Sequence, residues 1–163
     1  MRPMTELGNR PGTYALVLKN DSVQIVTAGQ LGPLELRPGW YVYVGSARGP
    51  GGLAARVGRH IRPEKKRRWH IDYVRPHAEL REVWFTYGTE NRECQWAQTF
   101  ATMPKAELPS PRFGASDCRC AAHLIWLPKR PSFAAFRRSF ERNDEPVQRL
   151  KVAIDQAGPD RCC

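Results

Sequence analysis

The residues best suited to catalysis in this sequence are tyrosines, basic residues and one glutamate that follow each other in a fixed order. Two tripeptides, Gly12-Thr13-Tyr14 and Tyr43-Val44-Gly45, come first. Hydrolysis of a phosphodiester needs an activated water, neutralisation of charge on the phosphate, and help for the leaving oxygen. Tyrosine and histidine can carry protons, arginine can hold a phosphate oxygen, and glutamate can ligate a divalent cation. The candidate catalytic residues are Tyr14, Tyr43, Arg56, His60, His70 and Glu93.

Strands are predicted around both tripeptides. Residues 14–18 and 23–28 are β-rich runs, and the four polar residues between them predict a hairpin. Residues 40–44 form a further strand, in which alternation places Tyr43 and Gly45 on one face. We therefore expect Tyr14 and Tyr43 to point to the same side of a small sheet.

A helix is predicted directly after the second tripeptide. A glycine-rich break at residues 49–52 precedes Leu53, Val57 and Ile61, whose spacing of four is typical of an amphipathic helix. Arg56 and His60 are also four apart, on a stripe at the edge of the buried face. The glycines would start this helix, and the backbone donors beside them could also touch a phosphate.

The later elements place the glutamate. Residues 80–87 predict a strand, and Asn91 is suited to cap a helix that carries Glu93 in its first turn. Residues 120–127 include a last short strand, and 133–140 and 147–154 are predicted helices.

The charge of the chain indicates a polyanionic partner. The 163 residues contain 26 Lys and Arg against 16 Asp and Glu, which gives a formal net charge of +10 and a pI near 9.8. A solvated basic surface is the alternative, but the cations cluster between residues 56 and 68, which suits phosphate contacts. The predicted nucleic-acid contacts are Gly45, Ser46, Arg48, Arg59, Arg62, Lys65, Lys66, Arg67 and Arg68.

The cysteines and the apolar content bear on location and metal binding. No 18-residue apolar stretch and no signal-peptide core occur, so we expect a cytoplasmic protein with no membrane contact. Five cysteines without a secretory signal favour reduced thiols or metal ligands over a disulfide framework. Structural zinc is an alternative to simple packing for one cluster, which comprises Cys94, Cys118, Cys120 and His123.

The order of these motifs resembles the GIY-YIG (URI) nuclease superfamily, whose tripeptides lie on neighbouring antiparallel strands. The stretches 41–47, 51–56, 69–73, 93–94 and 113–124 look like a stand-alone subfamily catalogued as a domain of unknown function. The resemblance covers roughly residues 12–127. Thr13 and Val44 replace the isoleucines of the superfamily name, and both are β-branched. The gap between the tripeptides is longer than in many members, so residues 23–38 should form an inserted hairpin.

The resemblance implies a role for each candidate. Glu93 would ligate one Mg2+ or Mn2+, and Arg56 would hold a non-bridging phosphate oxygen. Tyr14 would orient or deprotonate the attacking water with support from Tyr43, which requires basic neighbours to lower the pKa of Tyr14 from about 10. His60 and His70 are candidate proton carriers or phosphate contacts, although His70 could equally be a core residue bonded to Asp72.

The sequence thus predicts an α+β fold in which a small antiparallel or mixed sheet is flanked by helices. Residues 1–11 would be a flexible N-terminus, 12–127 the nuclease-like domain, and 128–163 a basic helical extension with a disordered end. The expected function is a metal-dependent endonuclease acting on DNA, with RNA not excluded and with specificity from DNA structure or from a protein partner. The alternatives are a non-catalytic nucleic-acid-binding module and a zinc-stabilised interaction domain.

Overall fold

The main sheet has five antiparallel strands. The computed structural model describes residues 7–62, 69–110, 113, 122–142 and 145–152. The order of the strands across the sheet is Leu124–Leu127 (β6), Gly39–Ala47 (β4), Gly12–Asn20 (β1), Glu79–Tyr87 (β5) and Gln148–Lys151 (β7). β1 is central, with β4 on one side and β5 on the other. The predicted α+β class is confirmed, and the sheet is wholly antiparallel within the described residues.

Helices cover both faces of the sheet. Tyr14, Leu16 and Leu18 point into one apolar cluster, which also receives side chains from Gly52–Ile61 (α1) and His70–Val74 (α2). Ala15 and Val17 point into the other, with Glu93–Ala101 (α3) and Phe133–Arg138 (α4). Burial on both faces explains why β1 is a nearly continuous apolar run. Among the described residues, no helix is long and apolar enough to cross a membrane.

The short strands Gln24–Thr27 (β2) and Pro33–Leu36 (β3) pair with each other as a two-stranded sheet. The prediction that the runs 14–18 and 23–28 form a hairpin with each other is wrong, because β4 and β5 occupy the two edges of β1. The inserted hairpin expected within residues 23–38 is confirmed. Val26, Leu34 and Leu36 attach it to the core.

The predicted helix at residues 147–154 is also wrong. Val147 and Leu150 are buried with helical spacing, but residues 148–151 form β7 and pair with β5. The backbone hydrogen bonds at the open edge of β5 outweigh this weak periodic signal. β7 therefore completes the main sheet, so residues 148–151 belong to the same fold as the strands before them.

The N-terminal segment 7–11, expected to be flexible, packs against α1 and β5. Leu7 is buried, and the carbonyl oxygens of Gly8 and Arg10 accept hydrogen bonds from the backbone of Ala54 and Leu53 at 3.0 and 2.9 Å. Donors at the start of α1 that could have touched a phosphate are therefore already satisfied.

A buried carboxylate links β5 to the C-terminal part of the fold. Glu82 is 2% exposed and binds Arg130, while Arg149 lies 3.7 Å away. The indole nitrogen of Trp84 donates to Glu82 at 2.9 Å.

We predict that Glu82→Ala lowers the free energy of unfolding by about 2 kcal/mol, because the Trp84 N–H loses its acceptor while the half-exposed arginines regain water. Urea denaturation checks this, and Glu79→Ala, which removes a partly exposed pair with Arg81, should cost less than about 0.5 kcal/mol.

Candidate active site

Two tyrosines from adjacent strands form the base of the candidate site. Tyr14 on β1 lies opposite Gly45 on β4, and Leu16 lies opposite Tyr43, so both hydroxyl-bearing rings are on the α1 side of the sheet as predicted. A Cβ atom at Gly45 would lie 2.5 Å from the Tyr14 hydroxyl oxygen. The glycine of the second tripeptide therefore makes room for the tyrosine of the first.

His60 from α1 completes this base. Its Nε2 atom lies 2.7 Å from the Tyr14 hydroxyl oxygen, and its ring centroid lies 6.0 Å from that of Tyr43. The sequence placed His60 at the edge of the buried face of α1, whereas the side chain is fully buried within it. Burial holds the imidazole against Tyr14 and leaves the tyrosine and histidine in direct contact.

Arg56 joins the same end of the sheet one helical turn before His60. Its Nη1 donates to the carbonyl oxygen of Ser46 at 2.9 Å, where β4 ends. Its guanidinium carbon also lies 4.5 Å from the centre of the Trp69 ring, a cation–π distance. A permanent positive charge is thus held beside the two tyrosines.

Glu93 approaches from the other layer as the first residue of α3. The N-cap of α3 is Arg92 rather than the predicted Asn91, although Asn91 Oδ1 accepts a hydrogen bond from the Glu93 backbone nitrogen at 3.1 Å. The hydroxyl of Ser46 donates to one oxygen of the Glu93 carboxylate, and His123 Nδ1 lies 3.4 Å from the other. Ser46 therefore joins Arg56 and Glu93, through its carbonyl and its hydroxyl respectively.

The donor set around Glu93 suits a hard divalent cation. It consists of one carboxylate, 19% exposed, and one hydroxyl. Mg2+ commonly binds proteins through one or two carboxylates and takes its remaining ligands from water and substrate phosphates. No group of three or more His, Cys, Asp or Glu residues that could hold a metal occurs in the part of the chain that is described. A cation at Glu93 would take its remaining ligands from water and substrate oxygens.

The electrostatics of the tyrosines differ from the expectation. Burial raises the pKa of Tyr14 well above 10, and the neighbouring Tyr43 and the Glu93 carboxylate add to the rise. The charge of Arg56 and its hydrogen-bonding interaction with the hydroxyl oppose it but do not outweigh burial. Burial and Glu93 raise the pKa of Tyr43 as well. The basic neighbours thus do not produce a phenolate, and Tyr14 is a neutral hydroxyl at physiological pH.

The raised pKa values predict how stability depends on alkaline pH. Below about pH 10 tyrosine is protonated in both the folded and unfolded chain, so its contribution is fully present. Above that pH the unfolded chain ionises first, and the free energy of unfolding falls by up to about 1.4 kcal/mol per pH unit for each buried tyrosine until its folded pKa is reached. Urea denaturation between pH 9 and 11 should show a smaller loss in Tyr14→Phe than in the parent. Equal losses would contradict the raised pKa of Tyr14.

His70 lies one ring away from this group. Its ring centroid is 5.4 Å from that of Phe113, which packs in turn against Tyr43 at 6.3 Å. Partial burial lowers the pKa of His70 below 6.5. The buried Asp72, a suggested partner of His70, accepts hydrogen bonds from Arg59.

The predicted nucleic-acid contacts occupy different environments. Arg48 and Arg62 are exposed. Arg59 instead forms a bidentate pair with Asp72, with oxygen distances of 2.9 and 2.8 Å, so its charge is already matched. Gly45 lies beneath Tyr14, where its lack of a side chain leaves room for the tyrosine ring. Residues 65–68 lie outside the described residues.

The cysteine cluster departs from its prediction at one position. Cys94, expected as a reduced thiol or a zinc ligand, is disulfide-bonded and in that state offers no thiolate. His123 is buried beside Glu93. Cys118 and Cys120 lie outside the described residues.

Two residues of the site were not assigned to it from sequence. The Trp69 ring contacts the guanidinium groups of Arg56 and Arg59 and the ring of His60. His123 lies beside the Glu93 carboxylate. Trp69 stands in the stretch 69–73 that carried part of the resemblance, so a signal was present. Its role depends on α2 folding back onto α1, which spacing does not reveal.

A protein-family comparison covers this whole arrangement. The family model described as "Domain of unknown function DUF123" matches residues 13–144, which is more than half of the chain. The chain belongs to the DUF123 family. No curated protein and no solved structure matched the chain. The DUF123 region includes Thr13 and Tyr14 of the first tripeptide, the whole second tripeptide, α1, α2 and α3, so every side chain of the candidate site lies inside it.

Proposed function

We propose that this protein is a divalent-metal-dependent endonuclease that hydrolyses phosphodiester bonds in DNA. One observation carries the proposal: Tyr14, Tyr43, Arg56, His60 and Glu93, which come from four different helices and strands, converge at one end of the sheet. The order of these residues resembles that of GIY-YIG nucleases, which supports the same conclusion.

Tyr14 and His60 would handle the proton of the attacking water. Because the pKa of Tyr14 is raised, its hydroxyl is neutral before reaction, and in this proposal it would donate to Nε2 of His60. As Tyr14 takes a proton from water, it can pass its own proton to His60 over the 2.7 Å hydrogen bond. This transfer requires the His60 tautomer that carries its proton on Nδ1.

Arg56 and Glu93 would deal with charge on the phosphate. Arg56 is positioned to bind a non-bridging oxygen and to stabilise the charge that develops in the transition state. Glu93, oriented by Ser46 and His123, would anchor Mg2+ or Mn2+. When bound, such a cation supplies further charge neutralisation at the phosphate. His70 has no step in this proposal, because Phe113 separates it from Tyr43.

The basic character of the chain supports a nucleic-acid substrate. The net charge of +10 attracts polyanions, and exposed Arg48 and Arg62 can contact phosphates beside the site. We propose that docking uses these cations together with residues 65–68, in the cytoplasm, with DNA structure or a protein partner supplying specificity.

A panel of labelled substrates tests the proposal. Duplex, nicked, branched and single-stranded DNA, with RNA counterparts, would be incubated with the purified full chain in Mg2+, Mn2+ or chelator. Cleavage of at least one DNA structure that disappears with chelator is expected. Tight binding without cleavage of any member would favour the non-catalytic binding module, and neither binding nor cleavage would remove nucleic acid as the substrate.

A further inference from the structure

The segment 69–75, which follows the cluster of basic residues 56–68 in the sequence, makes three kinds of contact with α1. The Trp69 ring packs against it, the Asp72 carboxylate pairs with Arg59, and Arg75 Nε donates to the carbonyl oxygen of His60 at 3.0 Å. The last contact satisfies a carbonyl at the C-terminal end of α1. All three contacts fall on the half of the helix that carries Arg56 and His60.

Trp69 lies at the centre of these contacts. Its ring centre is 4.5 Å from the guanidinium carbon of Arg56 and 4.0 Å from that of Arg59. Its ring centroid lies 5.5 Å from that of His60. A single half-buried indole therefore contacts both basic residues proposed for catalysis and the arginine between them.

Asp72 fixes the position of Trp69. The Asp72 carboxylate is fully buried and accepts from both terminal nitrogens of Arg59 and from the backbone nitrogen of Trp69 at 2.9 Å. In return, the Asp72 backbone nitrogen donates to the carbonyl oxygen of Trp69 at 2.9 Å. These bonds close the first turn of α2 and tie it to α1. Trp69 is thus held both through its backbone and through its indole ring.

We propose that Trp69 is a positioning residue, held by the Arg59–Asp72 pair, that orients the Arg56 guanidinium toward the scissile phosphate. The proposal rests on the proposed function. Without the indole, Arg56 keeps its bond to the Ser46 carbonyl but loses the surface that limits its remaining rotamers. A displacement of about 1 Å at such a group can cost on the order of 100-fold in rate.

The first test compares Trp69→Leu, Trp69→Phe and a matched control. Trp69→Leu should lower kcat by about tenfold or more with KM changed less than about twofold, and Trp69→Phe should recover most of the loss because it keeps a ring for the cation. Trp126→Leu is the control. The guanidinium carbon of Arg37 lies 3.5 Å from the centre of the Trp126 ring, but this pair lies away from the site. Parental kcat in Trp69→Leu would overturn the proposal.

A double-mutant cycle separates positioning from a general structural role. If Trp69 acts through Arg56, Trp69→Leu should have little further effect on kcat in an Arg56→Ala background. An undiminished effect in that background would show that Trp69 acts elsewhere. Thermal melts of all variants check that the folded fraction at assay temperature is equal.

A readout that needs no activity keeps this inference distinct from the proposed function. Stacking on the indole should shift the Arg56 Nε–Hε signal in the NMR spectrum of the parent, and Arg56→Lys assigns that signal. In Trp69→Leu the signal should move toward the value of a solvated arginine, while in Trp126→Leu it should stay. An unmoved signal refutes the positioning role. A moved signal in a parent that cleaves nothing would retain the contact and reject the nuclease proposal.

Discussion

Glu93→Ala should abolish metal-dependent cleavage while leaving the fold intact. Glu93 is the carboxylate at the site that is oriented by Ser46 and His123, so its removal takes away the anchor for a divalent cation. Loss of one group that stabilises transition-state charge typically costs about 100-fold to 1,000-fold in rate. We therefore expect the single-turnover rate in Mg2+ to fall by at least about 100-fold. The favourable position of Glu93 in the first turn of α3 is worth only about 0.3–1 kcal/mol, so the variant should remain folded.

Glu90→Ala is the matched control for this variant. Glu90 lies three residues earlier, is exposed and pairs with Arg92. The Glu90→Ala substitution therefore removes the same charge at a position away from the site. Its cleavage rate should be close to that of the parent. Equal rates for Glu93→Ala and the parent at saturating Mg2+ would remove Glu93 from the metal role.

Tyr14→Phe should lower the cleavage rate by roughly 100-fold or more, the scale of general acid–base assistance. The substitution keeps the ring over Gly45 but removes the hydroxyl that bonds to His60. Because the hydroxyl is neutral in the folded protein, the loss should be nearly constant between pH 7 and 9. Single-turnover rates at saturating DNA measure it.

Tyr41→Phe provides the control for a lost buried hydroxyl. Tyr41 lies on the same face of β4 as Tyr43, but its hydroxyl accepts a hydrogen bond from the Arg37 backbone at 2.9 Å. This variant should keep the parental rate. Near-parental turnover in Tyr14→Phe would assign water activation to another group, with His60 the next candidate.

The placement of the tyrosines could be predicted from sequence because strand alternation is a strictly local rule. Tyr14 and Leu16 share one face of β1, and Tyr41 and Tyr43 share one face of β4, because side chains alternate along each strand. Helix α1 was equally accessible, since Leu53 and Val57 mark its buried face. The strands follow a period of two residues and helix α1 a period of about four, and both periods can be read directly from the sequence.

Other features depended on long-range contacts that periodicity does not encode. The raised pKa of Tyr14 follows from packing of α1 over the sheet, which buries the hydroxyl that the sequence alone suggested would be activated. β7 forms because β5 has an open edge, although Val147 and Leu150 have helical spacing. The Arg59–Asp72 pair joins α1 to α2, a contact that spacing does not reveal, so Arg59 was counted among the docking cations.

Cleavage of labelled DNA by the parent and by a Tyr14→Phe, Glu93→Ala double variant, purified identically, tests the central claim most directly. The double variant lacks both the proposed proton carrier and the proposed metal anchor, so any contaminating nuclease would remain visible in its lanes. We predict Mg2+-dependent or Mn2+-dependent products from the parent and none from the double variant, with both proteins folded by circular dichroism. The same products at the same rate from both proteins, or no products from the parent on any substrate, would contradict the claim that this site hydrolyses phosphodiesters.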